Sequence, residues 1–284
     1  MPDFNEKILI VGGGSLIGKG LYGYFNHEGY EVIATSRKKE TNHIYLDLNN
    51  VTNFALPKKI TIAYICAGIT KKIDCEYKPV DSYNINVVNT VELIKDLINQ
   101  EIHTVFLSSN EVFSGVAPFI IHDADKQPAS KYGALKAETE DAIINIKRQN
   151  YSIVRITKVL DRNNRLITNW ASELKKGGIV KAFQNIYISP ISLKYATENL
   201  SKIGLERSSG LYHLSGAENT SYYSIAQTLA QYLNVPEEKV IPECIDNNMA
   251  NTYASLDMSK ELIKLSIKPQ LISEVFNEIM QVNV

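Results

Sequence analysis

The sequence predicts an α/β fold, a doubly wound parallel sheet with a smaller C-terminal lobe interleaved with it. Three observations lead there. Short apolar runs alternate with amphipathic segments through the first 157 residues, the first run opens into a cluster of glycines, and the alternation weakens beyond Thr157.

Lys7 to Val11 (KILIV) reads as a buried strand. Gly12-Gly13-Gly14-Ser15-Leu16-Ile17-Gly18 is a tight turn into an amphipathic helix that reaches about Glu28. Strands follow at Glu31 to Thr35, His43 to Leu46 and Ile60 to Ala67. Apolar residues at near-helical spacing predict a helix from about Ser82 to Gln100. Thr104 to Ser108 is the fifth strand, Lys131 to Arg148 a long helix, and Tyr151 to Ile156 the sixth strand. Six β-α units thus build a first domain over residues 1–157, to which Gly210 to Leu214 returns as a further strand. Residues 158–284 mainly form the second lobe. It holds a short strand at Ile186 to Ser189 and helices at Arg165 to Lys176, Leu193 to Gly204 and Ser221 to Leu233, with two more after Leu256. Gly177-Gly178 supplies the left-handed residue that ends the first of these helices.

A net charge of −1 over 284 residues, 44% of them hydrophobic, offers no basic surface for a nucleic-acid backbone. Cys66, Cys75 and Cys244 are odd in number and lack CxxC spacing, so they predict free thiols and neither disulfides nor a metal site. No apolar run approaches the ~20 residues that span a bilayer, and the N-terminus lacks the basic and apolar regions of a signal peptide. A cytoplasmic protein without membrane contact is expected, and a homodimer stays open.

A dinucleotide pyrophosphate binds backbone N–H groups at a helix N-terminus where no side chain intrudes, hence the order strand, glycines, helix. Gly12, Gly14, Ser15, Leu16, Ile17 and Gly18 are the candidates for that contact, in what would be a Rossmann-type domain. A tight βα turn also needs glycine for purely structural reasons. An acid at the end of strand 2 would bond the ribose of NAD, whereas a basic residue accommodates the 2′-phosphate of NADP. The segment Thr35-Ser36-Arg37-Lys38-Lys39 has no acid before Glu40, so Ser36 and Arg37 favour NADP(H), with NAD(H) the alternative.

Tyr132 and Lys136 lie four apart on a predicted helix and project from one face. Carbonyl reduction needs a proton donor at the oxygen, and an adjacent ammonium is expected to lower the phenol from its ordinary pKa of ~10. By chance alone Y-x-x-x-K is an exposed surface pair. Ser109, at the carboxyl end of strand 5 where open α/β sheets collect ligands, can donate a hydrogen bond to the same oxygen.

The segments Ser109 to Gly115 (S-x-x-V-F-x-G) and Pro128 to Glu140 (P-x-x-x-Y-G-x-x-K-x-x-x-E) resemble those of the extended short-chain dehydrogenases/reductases, most closely the dTDP-4-dehydrorhamnose reductase family. Cys66-Ala67-Gly68 resembles the family's nicotinamide-side loop. Tyr83 to Thr90 is similar to its Y-x-x-N-V-x-G-T helix, which carries Asn86, with Asn89 in place of the glycine. Ser15 likewise departs from G-x-x-G-x-x-G. The likeness continues through Val154 to Thr157, Ser189-Pro190-Ile191, Gly210 to Gly216 and Leu256 to Lys260. It implies a nucleotide-sugar substrate, with Asp47 and Leu48 on the adenine side, Tyr132 and Lys136 also at the cofactor, and hydride delivery to a 4-keto carbon. Tyr132 would donate the proton, Ser109 polarise the oxygen and Lys136 tune Tyr132. For Asp47 the plainer reading is an exposed turn residue.

Two departures bear on the substrate: Asn110-Glu111 replaces the family's Asp-Tyr, and Lys158 replaces a tryptophan. Glu111 matches the position where related dehydratases carry a proton-abstracting glutamate, so epimerisation or dehydration is the alternative chemistry. Asn110 in place of a protonating acid, and the missing N-x-Y-G-P segment after strand 6, speak against dehydration. Some members resembling this family bind nucleotide as non-catalytic regulatory subunits, and an intact trio speaks against that. His122 reads as a surface residue, Trp170 as packing in the second lobe, and Tyr222 and Tyr223 as helix anchors.

Overall fold

The computed structural model describes residues 6–38, 42–245 and 253–280. Lys39 and Glu40, read in the sequence as part of the loop after strand 2, lie outside the described residues, as do residues 1–5 and the last four. In chain order, the elements begin with β1 (Lys7–Val11), α1 (Leu16–His27), β2 (Glu31–Ser36), β3 (Ile44–Tyr45) and β4 (Ile62–Ile65). Then come α2 (Lys72–Tyr77), α3 (Pro79–Tyr83), α4 (Thr90–Asn99), β5 (His103–Ser109), α5 (Lys131–Ile144) and β6 (Tyr151–Ile156). The remainder comprises β7 (Val159–Leu160), α6 (Arg165–Lys175), β8 (Val180–Phe183), β9 (Tyr187–Ile188), β10 (Ile191–Ser192) and α7 (Leu193–Leu205). Last are β11 (Gly210–Leu214), β12 (Thr220–Ser221), α8 (Tyr222–Tyr232), β13 (Val240–Glu243), α9 (Ser259–Leu265) and α10 (Ile272–Met280).

Two compact units result. The first joins Met1–Phe113, Asp125–Ile156 and Lys194–His213; the second joins Ser114–Ala124, Thr157–Leu193 and Leu214–Val284. The first unit is built on a seven-stranded sheet in the order β11-β6-β5-β4-β1-β2-β3, with each pair from β6 to β3 parallel. Parallel strands need crossovers that cover both faces, which is why β4 and β5 are buried at every residue. Leu9, Ile65, Ile94, Leu97, Phe106 and Ile153 lie in one core cluster. Because β1 pairs with β2 on one side and β4 on the other, the strand order reverses there, and a crevice opens beyond the carboxyl ends of β1 and β4. This is the Rossmann-type, doubly wound arrangement that the sequence predicts.

The second unit packs Leu160, Ile167, Val180, Ile225, Leu229 and Phe276 into its own core. Its strands pair two by two: β7 with β10 and β8 with β13 in parallel, β9 with β12 antiparallel.

Several elements differ from expectation. Strand 3 covers two residues, and a 3₁₀ turn at Leu48–Asn53 stands where a helix would complete a β-α unit. Strand 4 is trimmed to four residues, and α5 stops at Ile144. The helix expected from Ser82 to Gln100 is interrupted by a π-helical turn at Asn84–Asn89, where the Thr90 hydroxyl donates to the Ile85 carbonyl at 2.7 Å. The pairs β7–β10 and β8–β13, and helix α2, were not expected.

Candidate active site

Close backbone packing requires glycine at two positions of the first turn. Gly12 has φ +90°, and a β-carbon there would stand 2.7 Å from the Ala67 nitrogen. At Gly18 it would stand 2.3 Å from the Gly12 carbonyl oxygen. A β-carbon on Gly14, by contrast, would meet nothing within 4 Å, so that position faces open space. Ser15 is the N-cap of α1: its hydroxyl accepts from the Gly18 amide at 3.0 Å. The serine that departs from the glycine pattern therefore starts the helix. Leu16 and Ile17 form its first turn, which carries no acid.

Across the crevice, Cys66 continues β4 and donates its amide to the Val11 carbonyl at 2.8 Å. Burial pushes its thiol up to about 12. Gly68 has φ +148°, and a β-carbon there would lie 3.1 Å from Asn86 Oδ1. Asn86 is buried in the π turn and binds both backbone groups of Ile69: its Oδ1 accepts from the amide at 2.7 Å, and its Nδ2 donates to the carbonyl at 2.8 Å.

Ser109 ends β5 and Tyr132 opens α5, and the structure brings them together with Lys136. Ser130 caps α5 by accepting from the Gly133 amide at 3.0 Å. Burial drives the Tyr132 phenol well above its ordinary value; the Ser109 hydroxyl pulls it down and the Glu111 charge pushes it up. Lys136, 8% exposed, points its ammonium at the Leu107 carbonyl, 2.7 Å away, and lies 4.5 Å from the Phe106 ring centroid and 5.9 Å from that of Tyr132. Desolvation brings Lys136 down to about 8, opposed chiefly by the Glu140 charge. The expected lowering of Tyr132 by its neighbouring ammonium is thus not what the geometry produces. Burial dominates the phenol, and Lys136 directs its proton to the backbone.

Behind this trio, the buried Glu140 carboxylate accepts from Ser108 Oγ at 2.5 Å and from Arg155 Nε and Nη2 at 3.0 and 2.8 Å. Removing one partner of such a pair would strand the other charge in the core.

Glu111 flanks the trio. Its amide donates to Ser109 Oγ at 3.2 Å, Lys72 Nζ sits 2.8 Å from Oε1, and Ser130 Oγ donates to Oε2 at 3.3 Å. Sequence reading missed Lys72 and Ser130, because no local signal ties them to Glu111.

Other expected residues fall where their elements put them. Arg37 is exposed past the end of β2, and Ser36 Oγ accepts from the Lys38 amide at 3.0 Å. Asp47 caps the 3₁₀ turn by accepting from the Asn49 amide at 3.0 Å, and Leu48 is buried. His122, read in the sequence as a surface residue, is instead largely covered within the second unit, its side chain 16% exposed and bonded to the buried Glu261 at 2.7 Å, whereas Trp170 packs edge-on against Tyr222 as expected. Among the described residues, no group of three or more His, Cys, Asp or Glu could hold a metal ion, and no helix is long and apolar enough to cross a membrane.

The family model described as the RmlD substrate binding domain matches residues 6–270. The methionine adenosyltransferase 2 subunit beta of Xenopus tropicalis is 21% identical over 254 residues, covering 84% of this chain and 75% of that protein. The spore coat polysaccharide biosynthesis protein SpsK of Bacillus subtilis (strain 168) is 22% identical over 281 residues, 97% of each chain. The solved structure of dTDP-4-dehydrorhamnose reductase from Bacillus anthracis strain Ames, in complex with NADP, superposes with a TM-score of 0.85 at 19% identity, covering 98% of both chains. At that identity the superposition speaks for the fold, and the family match speaks for ancestry. The chain belongs to the RmlD substrate binding domain family, within the extended short-chain dehydrogenases/reductases.

Proposed function

We propose that the protein is an NADP(H)-dependent reductase of a nucleotide-activated 4-keto-6-deoxy sugar. The observation that carries this reading is the convergence of Ser109, Tyr132 and Lys136 in the same compact unit as the glycine turn.

The residues present fit a dinucleotide. Gly14 leaves space where a side chain would intrude, and the first turn of α1 holds no carboxylate to repel a phosphate. Gly12 to Gly18 would take the pyrophosphate, Ser36 and Arg37 the 2′-phosphate side, and Asp47 and Leu48 the adenine side. Cys66, Ala67, Gly68 and Asn86 would face the nicotinamide side, and Tyr132 and Lys136 the adjoining ribose. When bound, the reduced dinucleotide supplies hydride. Arg37 and the NADP-bound relative favour NADP(H), with NAD(H) the alternative.

The protein's own part is acid catalysis. Tyr132, held protonated by burial, donates its proton to the carbonyl oxygen of the sugar. Ser109 donates a hydrogen bond to that oxygen, and Lys136 supplies positive charge that steadies the phenolate left behind. A dehydratase or epimerase would draw on Glu111 as a base, and the engagement of both its oxygens favours reduction.

The test follows NADPH absorbance with dTDP-activated 4-keto-6-deoxyhexoses. Wild-type protein should consume NADPH, and Tyr132→Phe should lose ~10²-fold or more of the rate while still binding dinucleotide. Likeness to the methionine adenosyltransferase subunit favours a second reading, a nucleotide-binding subunit without turnover. Tight dinucleotide binding with no consumption on any such sugar would establish that reading instead.

A further inference from the structure

The short helix α2 makes three contacts beside the trio, one with the turn after β5 and two with the start of α5. Lys72 pairs with Glu111, the Lys131 amide donates to Glu76 Oε1 at 3.0 Å, and the fully buried Cys75 shares an apolar cluster with Leu135 and Tyr132. The Glu111 side chain is 18% exposed, whereas that of Lys72 is 55% exposed. A pair this open adds little to stability. Its geometry is more telling: one carboxylate oxygen is engaged by an ammonium and the other by the hydroxyl that caps the helix of Tyr132.

A 4-keto sugar carries acidic C–H bonds on both carbons beside its carbonyl. A carboxylate next to the proton donor that serves that carbonyl is placed to remove one of them. With an ammonium on one oxygen and a hydroxyl on the other, both oxygens that could take up such a proton are already engaged. We infer that Lys72 is a positioning and specificity-determining residue that clamps Glu111 as a fixed charge beside Tyr132, restricting the site to reduction by denying the substrate a base.

This inference rests on the reductase reading, and the experiment separates the two. Full-length wild type, Lys72→Arg, Lys72→Met, Glu111→Gln and Lys72→Met/Glu111→Gln are incubated in D₂O with a dTDP-activated 4-keto-6-deoxyhexose, and deuterium in the sugar ring is measured by mass spectrometry. NADPH consumption is followed in parallel. Wild type and Lys72→Arg should match the protein-free exchange rate. Lys72→Met should exceed it at least tenfold, and the double variant should return to background. Exchange by wild type that is lost in Glu111→Gln, or no gain in a folded Lys72→Met, overturns the inference while NADPH consumption leaves the reductase reading intact. Absence of consumption in wild type overturns the reductase reading instead. The exchange arms decide the clamp in that case as well, because exchange needs the 4-keto sugar and the Glu111 carboxylate but no hydride: a tenfold gain in Lys72→Met that is lost in the double variant supports it, and no gain overturns it.

Discussion

A β-carbon on Gly133 would lie 2.0 Å from the carbonyl oxygen of Glu111. The first turn of α5 therefore sits directly on the turn that follows Ser109, and one glycine sets the spacing between the hydroxyl and the phenol. Gly133→Ala should force the two apart. We expect a loss of about 1–3 kcal/mol in stability and a fall in turnover of ~10-fold or more, read by urea unfolding and by NADPH consumption.

Lys136 makes stability depend on pH in a particular sense. Its folded-state value, about 8, is below the ordinary 10.5, so between those values the unfolded chain holds more protons and stability rises with pH. The buried ammonium exerts its full destabilising effect below about pH 8, and this fades as pH approaches 10.5. The stability difference between wild type and Lys136→Met should thus shift in favour of wild type across that window. Unfolding curves at pH 7 and pH 10 test it.

The same lysine should shape the reductive pH profile. Burial keeps Tyr132 protonated through the neutral range, so it contributes no falling limb there. A decline in kcat/KM above about pH 8 is expected, as Lys136 loses the proton that balances the departing phenolate. A profile flat to pH 9.5 would contradict this assignment.

Gly14 and Ser15 should separate binding from stability. Gly14→Ala adds a methyl group into open space, so stability should hold within about 0.5 kcal/mol while the affinity for NADPH falls at least ~10-fold by intrusion on the phosphates. Ser15→Ala removes the cap of α1 and should cost about 1 kcal/mol. Calorimetric titration alongside thermal unfolding distinguishes the two.

Arg37→Asp should turn cofactor preference. An acid past the end of β2 repels a 2′-phosphate and accepts a hydrogen bond from a 2′-hydroxyl. The ratio of Kd for NADPH to that for NADH should rise at least ~10-fold, roughly the weight of one lost charge-assisted contact.

What was legible in the sequence followed from short-range rules. The 3.6-residue period places Tyr132 and Lys136 on one face, and the apolar runs mark β1, β5 and β6 nearly to the residue. The π turn was not legible, because it shifts the phase of the helix around Asn86 without changing its apolar content. Helix α2 is too short and too polar to show a period, yet it carries Lys72 and Cys75 to the trio. The pairing of Glu111 with Lys72, like that of Glu140 with Arg155, depends on strands and helices distant in sequence being packed first. The response of Tyr132 was misjudged for the same reason: spacing reveals a neighbouring ammonium but not the desolvation around the phenol.

Asn86 gives Ile69 what an adjacent strand would give, one acceptor for its N–H and one donor for its C=O. The chain thus leaves the sheet after β4 yet keeps a single rung of a ladder, made by a side chain instead of a backbone. An amide alone can fill both ends of that rung, since a carboxylate would face the Ile69 carbonyl with no proton to offer. At Ile69, just past the floor of the crevice, the backbone is in this sense paired as if with one more strand, one residue wide and borrowed from a helix.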